Sequence, residues 1–505
     1  MMELLRDTFM FDPDRPLIFT RAFFWMFYLV VLLVFSLIYR QRAMRNAFLF
    51  LASLFFYWKT SGLFFLLLVF STVSDFYLGK LIHRAEKQAW RRVAVVLSVC
   101  INLFLLSYFK YSYLFVDTLN RLFHFNIEVV NHLALWSNQL TGTHFDVSRI
   151  LLPVGISFYT FQTISYTVDL YRRKVEPVKQ LLDFGFYVSF FPQLVAGPIV
   201  RASEFIPQLY KRYSLSMQEF GYALFLILKG LFKKIFIGDY LALHFIDRVF
   251  ANPGSFSGFE NLAALFGYSL QVYVDFSGYT DIAIGIALLM GFRLPKNFNA
   301  PYKATSVGNF WKRWHISLST WLKDYLYIPL GGNRRGRLMT DVNLMITMLL
   351  GGLWHGASWQ FVIWGGLNGV GLVVYKLWRR VSPYEHSKHW AVRLWKIANT
   401  FVFITFTRIW FRSESMDKAN ALLHQIGHNF SFRIVPDVLR SYHLVFAVMA
   451  LGYALHWLPE GWKRAVLRAF MATPLWLKVL ITVAMVFLIY QSWSADLQPF
   501  IYFQF

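Results

Sequence analysis

The sequence predicts an all-α polytopic membrane protein with about eleven transmembrane helices plus re-entrant and interfacial helices. Three observations carry that expectation. Of 505 residues, 57% are hydrophobic and 20% aromatic while 15% are charged, against about 25% charged in an ordinary soluble protein. The apolar residues fall into many long runs, not one rich core. The bases cluster beside those runs, as in Arg40, Arg42 and Arg45, or Arg84, Lys87, Arg91 and Arg92, the pattern of loops retained on the cytoplasmic face.

Taken in order, the first run, Phe23–Tyr39, follows Asp7, Asp12 and Asp14 and is closed by Arg40, which reads as a retained span and not a cleavable signal. Windows 46–58 and 62–79 are short and read as a re-entrant pair. Window 93–115 holds the single cysteine, Cys100, a small hydrophobe that can form no intrachain disulfide. The near-neutral stretch from Val116 to Arg149 reads as an outward loop. Windows 150–170, 181–199, 219–237, 262–291, 342–375, 395–411, 441–457 and 474–490 complete the set. Window 342–375 would be ~51 Å long as one helix, beyond the ~30 Å hydrocarbon core. It holds seven glycines, so a break is expected, with Gly351, Gly352 and Gly356 bracketing His355. The chain reads as one membrane domain, 1–505, with N-terminal helices at 20–120, a chemistry-bearing core at 150–375 and C-terminal helices at 395–505.

Charge and motifs exclude several classes. A net charge of +23 would point to nucleic acid in a soluble protein, but no basic stretch here forms a contiguous soluble module. The bases fit anionic headgroups or an anionic cytosolic substrate instead. No Walker A pattern occurs, which argues against an ATP-driven pump.

Two histidines stand out. No Asp, Glu, Lys or Arg occurs from Val342 to Tyr375, so His355 is the ionisable group to explain there. It reads as a general base in a dry site, where burial keeps the ring neutral, or as an interhelical hydrogen bond. His315 lies in a predicted amphipathic helix from Phe310 to Leu330, ended by Pro329 and Gly331-Gly332. Trp311, His315, Leu318, Leu322 and Tyr325 share its inward face; Arg313, Ser317, Thr320 and Asp324 share another, with Lys312 and Lys323 beside it. The structural alternative for His315 is an interfacial ring capped by a carbonyl. No metal is expected, since neither histidine belongs to a His-Glu-x-x-His pattern. His424 and His428 have helical spacing but sit in a polar segment and read as solvated. Asp275 and Asp281 are the notable carboxylates in apolar context, either orienting a histidine, binding an acceptor, or pairing structurally.

At these residues the chain resembles the membrane-bound O-acyltransferase (MBOAT) family, and more narrowly its bacterial alginate O-acetyltransferase-like branch. The resemblance rests on Tyr108-Phe109-Lys110-Tyr111, Leu152-Pro153-Val154-Gly155-Ile156-Ser157-Phe158-Tyr159, Val195-Ala196-Gly197-Pro198, Asp275-Phe276-Ser277-Gly278-Tyr279 and Phe298-Asn299-Ala300-Pro301-Tyr302. It continues through Arg313-Trp314-His315-Ile316-Ser317-Leu318-Ser319, Leu330-Gly331-Gly332-Asn333-Arg334, Gly351-Gly352-Leu353-Trp354-His355-Gly356 and the terminal Phe500-Ile501-Tyr502-Phe503-Gln504-Phe505. It implies helices around a central tunnel, His355 as the central catalytic histidine and His315 as the second. It further implies acetyl-CoA as co-substrate with no bound cofactor, a polysaccharide acceptor, an extracytoplasmic SGNH hydrolase-like partner, and the bacterial inner membrane. Lys312, Arg313, Arg334 and Arg335 are candidates for the CoA phosphates. Asp275, Asp281, Asp324, Trp354 and Asn368 are candidates for orienting groups or the acceptor. The branch often has a further histidine where this chain has Asn368, which puts alginate itself in doubt.

Two other classes account for intramembrane histidines. One is a transporter or flippase for a polysaccharide or lipid-linked sugar with a histidine proton relay; the other is a silent membrane scaffold that recruits a secreted transferase.

Overall fold

The computed structural model describes residues 9–12, 16–141 and 146–492, so the terminal Phe500–Phe505 stretch lies outside the described residues. Every regular element among the described residues is helical. Helix α1 (Ala22–Ile38) turns Leu29, Leu33 and Leu37 outward at 65%, 64% and 78% exposure. Leucines so exposed along one helix suit lipid, not water.

The next two windows do not form a re-entrant pair. Helix α2 (Arg42–Ser61) passes through a 3₁₀ turn at Gly62–Phe64 into α3 (Phe65–Arg84), giving one helical stretch of 43 residues. At Gly62 the backbone departs from helical angles (φ +58°, ψ −139°), a conformation glycine adopts at little cost, and the chain resumes at once through the 3₁₀ turn, at the gap in hydrophobicity that suggested two short pieces. Asp75 of α3 accepts hydrogen bonds from Ser98 Oγ (2.6 Å) and Asn102 Nδ2 (2.7 Å) of α4 (Gln88–Leu106), tying the two helices by a buried polar patch. The expected outward loop also contains helix, at Ser112–Phe123 and His132–Thr141.

Helices α5 (Ile156–Tyr171), α6 (Met217–Leu231) and α7 (Gly258–Leu289) follow. Both α6 and α7 start with a capping box: Ser216 with Glu219, and Ser257 with Glu260. The segment expected to be one amphipathic helix is instead α8 (Val307–Trp311), a turn, and α9 (Ile316–Leu322), followed by a π-helical turn at Lys323–Tyr327. The 342–375 window is divided as expected, into α10 (Gly336–His355) and α11 (Trp359–Val381), with α12 (Trp390–Arg412) packed on α11.

By length and composition, four described helical stretches can cross a bilayer: Arg42–Arg84, Gln88–Phe123, Gly258–Leu289 and Trp359–Val381. Two bent pairs near the C-terminus, at 90° and 119°, raise that to six. Eleven is not confirmed by this measure, because several apolar windows hold helices too short for a ~30 Å crossing, such as Ile156–Tyr171 at 16 residues and Leu181–Ser189 at 9.

Buried apolar side chains form two clusters. One gathers α1 to α5 with Leu318, Trp321 and Trp354; the other holds Phe310, Trp314, Phe361, Trp364 and Phe411. The residues flanking His315 and His355 divide between them, so both histidines lie at the seam, where ligand sites are commonly built.

Candidate active site

His355 is the last residue of α10. Gly356 is extended (φ −160°, ψ 152°), and α11 begins at Trp359. What keeps the two helices close is the crossing of Gly352 with Gly365. A Cβ on Gly352 would stand 2.3 Å from the Phe361 carbonyl oxygen, and one on Gly365 2.3 Å from that of Met348. Only hydrogen fits at either position.

The end of α10 leaves carbonyls with no partner in the helix. Side chains of the π-helical turn Ser107–Tyr111 supply the donors. Tyr111 Oη donates to the Leu353 carbonyl at 2.9 Å. The buried Lys110 Nζ donates to those of Trp354 (2.6 Å) and His355 (3.2 Å). A cation on a helix C-terminus is also favoured by the helix dipole. Trp354 Nε1 donates in turn to the Ser157 carbonyl at 3.3 Å. His355 is thus fixed from behind, through its backbone.

His315 is fixed through its side chain. It has left-handed backbone (φ 44°, ψ 56°), which interrupts the predicted helix between α8 and α9. Asn297 offsets the cost of that conformation. Its carbonyl accepts from the Ile316 N–H at 3.0 Å, and its Oδ1 accepts from the Ser317 N–H (3.1 Å) and Oγ (2.9 Å). Because Oδ1 faces the Ser317 N–H, the amide oxygen must be on that side, and His315 Nδ1 at 3.3 Å donates to it. The neutral ring then carries its lone pair on Nε2. The ring is fully buried, edge-on to Phe276 at 4.7 Å, and its centroid is 6.3 Å from that of His355. It therefore sits deep among aromatic rings and not at an interface.

Trp354, Trp364 and Phe411 pack around the His355 ring at 5.0, 5.0 and 5.4 Å. A small cavity lies beside it, lined by His355, Asn368 and Arg408 among apolar walls that include Trp314 and Phe411. Asn368 Nδ2 donates to the Trp364 carbonyl at 2.8 Å, while its buried Oδ1 makes no hydrogen bond.

The other candidates are placed elsewhere. Asp275 pairs with Lys234 Nζ at 2.5 Å, and that ammonium also meets Asp239 at 2.7 Å. Asp281 is held by Lys229 (3.0 Å) and Lys233 (2.8 Å). Asp324 pairs with Arg201 at 2.6 Å. Lys312, Arg334 and Arg335 are exposed, and Arg313 donates to Asn309 Oδ1 (3.0 Å) and the Asn299 carbonyl (3.2 Å). His424 and His428 stack on one exposed helix face at 4.6 Å. Among the described residues no three His, Cys, Asp or Glu side chains gather into a metal-binding group.

Sequence reasoning assigned no role to Lys110, Asn297 or Arg408. A signal existed for Arg408, a guanidinium inside the apolar window 395–411. Lys110 acts across 244 residues of chain, a pairing no local pattern announces.

Comparison with known proteins gives a consistent picture. Residues 102–413 match the model of MBOAT, the membrane-bound O-acyltransferase family. The chain is 37% identical over 399 residues to a peptidoglycan O-acetyltransferase of Helicobacter pylori, covering 74% of this chain and 72% of that protein. It is 40% identical over 384 residues to a probable alginate O-acetylase AlgI of Pseudomonas aeruginosa, covering 74% and 68%. A teichoic acid D-alanyltransferase of Bacillus subtilis is 29% identical over 280 residues, covering 52% and 69%.

Proposed function

The chain belongs to the membrane-bound O-acyltransferase family, and from that premise we propose that it moves an acetyl group from acetyl-CoA to a hydroxyl of an exported polysaccharide. It is a multi-pass membrane acyltransferase, which sets aside the transporter and scaffold readings. The relatives named for peptidoglycan and for alginate support a glycan acceptor. Asn368 in the cavity wall leaves alginate one acceptor among several.

One observation carries the mechanism: His355 and His315 are 6.3 Å apart, ring to ring, in a buried aromatic enclosure with a cavity at His355. A thioester is already activated, so the protein's task is alignment, a base and exclusion of water. His355 takes the proton of the acceptor hydroxyl as its oxygen attacks the acetyl carbonyl. His315, held by Asn297, positions the donor or passes the proton; an acetyl-histidine relay is the alternative route. Lys312, Arg334 and Arg335, which are exposed and do not line the cavity, would attract the CoA phosphates before entry, with Arg313 as the fourth cation. An SGNH hydrolase-like partner outside the bacterial inner membrane would complete delivery to the polymer.

The test is release of free CoA from acetyl-CoA by the protein in nanodiscs, with mannuronate oligosaccharides or peptidoglycan fragments as acceptors. Release by the wild type that disappears in His355→Ala is expected. Undiminished release by His355→Gln would remove the general base from the mechanism.

A further inference from the structure

Among the described residues seven lysines and arginines are buried: Arg45, Lys59, Arg91, Lys110, Lys234, Arg408 and Lys478. Six of them donate hydrogen bonds to carbonyl oxygens or carboxylates. Arg408 donates none and meets no carboxylate, although it is 4% exposed and its Nε is fully enclosed. One turn further along α12, Arg412 does have its acid, Asp247 at 2.8 Å. A guanidinium offers five N–H donors, and burying its charge without an anion is costly. Stacking over Trp314 at 4.5 Å and Tyr302 at 5.8 Å offsets part of that cost. It also holds the side chain still. The remaining donors belong to a group that lines the same cavity as His355.

We infer that Arg408 is the electrostatic partner of the acetyl carbonyl oxygen, holding the negative charge that develops on it during transfer. The inference rests on the acetyl-transfer reading above. In the addition step the hydroxyl proton passes to His355, the hydroxyl oxygen forms a bond to the carbonyl carbon, and the carbonyl π pair moves onto the oxygen, facing Arg408. When the double bond re-forms, the C–S bond breaks and CoA leaves as the thiolate, which takes the proton back from His355. Atoms and charge balance with no further reactant. A fixed cation in a dry cavity is the arrangement that stabilises such a charge most strongly. Apart from His355, Asn368 and Arg408 the lining of the cavity is apolar and offers no second cation for a charged sugar, which favours the reacting oxygen over an acceptor carboxylate as the anion.

The experiment compares wild type, Arg408→Gln and Arg408→Lys in nanodiscs, reading kcat and KM separately. Arg408→Gln is expected to lose about 10²–10³ in kcat with both KM values little changed, and Arg408→Lys to recover part of the loss. A second measurement needs no acceptor and serves if Arg408→Gln does not fold. A trifluoromethyl ketone analogue of acetyl-CoA, to which water adds in solution to give a tetrahedral and readily ionised hydrate, is compared in binding with its unfluorinated ketone. The wild-type preference for the fluorinated ligand should fall about tenfold or more in Arg408→Lys. A normal kcat in folded Arg408→Gln, a loss confined to the acceptor's KM, or an unchanged ligand preference overturns the assignment. If the wild type releases no CoA, or His355→Ala releases it normally, the acetyl-transfer reading itself has failed.

Discussion

The two histidines are held by opposite means. His355 ends a helix whose last carbonyls are gripped by Lys110 and Tyr111, with the ring left to face the cavity. His315 stands on a left-handed residue between two short helices, and its ring is gripped directly by Asn297. The first device fixes where a side chain begins; the second fixes which nitrogen carries the proton. A base that must accept and return a proton suits the first, and a group that must present one tautomer suits the second.

Perturbations that strike one device and spare the other test this division. The largest effect is expected at His355 itself, where replacement by alanine should lower kcat about 10²–10⁴-fold without changing the thermal midpoint; a comparable fall in the midpoint would make the residue structural. Lys110→Met removes the charged donor but keeps the chain length, leaving the Trp354 and His355 carbonyls without it. It should destabilise the protein by about 3 kcal/mol and cost activity in proportion, read by denaturant titration beside turnover. Gly352→Ala drives a methyl toward the Phe361 carbonyl, for about 2 kcal/mol. An unaltered melting curve would mean that the α10–α11 crossing has slack. The smallest and sharpest test is at position 315: glycine there relieves the φ of +44° while alanine does not. Both variants should lose the ring's contribution to turnover equally, yet glycine should be about 1 kcal/mol the more stable. Equal stability would show that the backbone at 315 carries no strain.

How far the sequence foretold this differs between the same two regions. The break after His355 was legible because glycine marks it and because an unbroken helix would overrun the bilayer. The break at His315 was not, since Phe310 to Leu330 has an uninterrupted helical pattern. What interrupts it is Asn297, 18 residues earlier, offering its carbonyl and its amide oxygen to the first donors of α9. Periodicity reports what a segment prefers alone, and a tertiary hydrogen bond overrode it. Asp275 and Asp281 were visible as unusual carboxylates, but the lysines that hold them, Lys234, Lys229 and Lys233, come from the stretch around the end of α6. Cation and acid could not be matched before the helices were packed.

The rings of Trp354, Trp364 and Phe411 around His355 bear on what the enzyme does while idle. A base that activates a sugar hydroxyl activates water just as readily, and a cell's supply of water at any open site is unlimited. On the proposed reaction, selectivity between the two nucleophiles falls to the wall and not to the base. Three aromatic rings set edge-to-face about His355 offer water few partners, so on that reading a donor that arrives before its acceptor stays intact. On the proposed acetyl transfer, leakage to acetate is a property of the wall's fit, and opening that wall at Phe411 would uncouple thioester consumption from modification of the acceptor while leaving the histidine untouched.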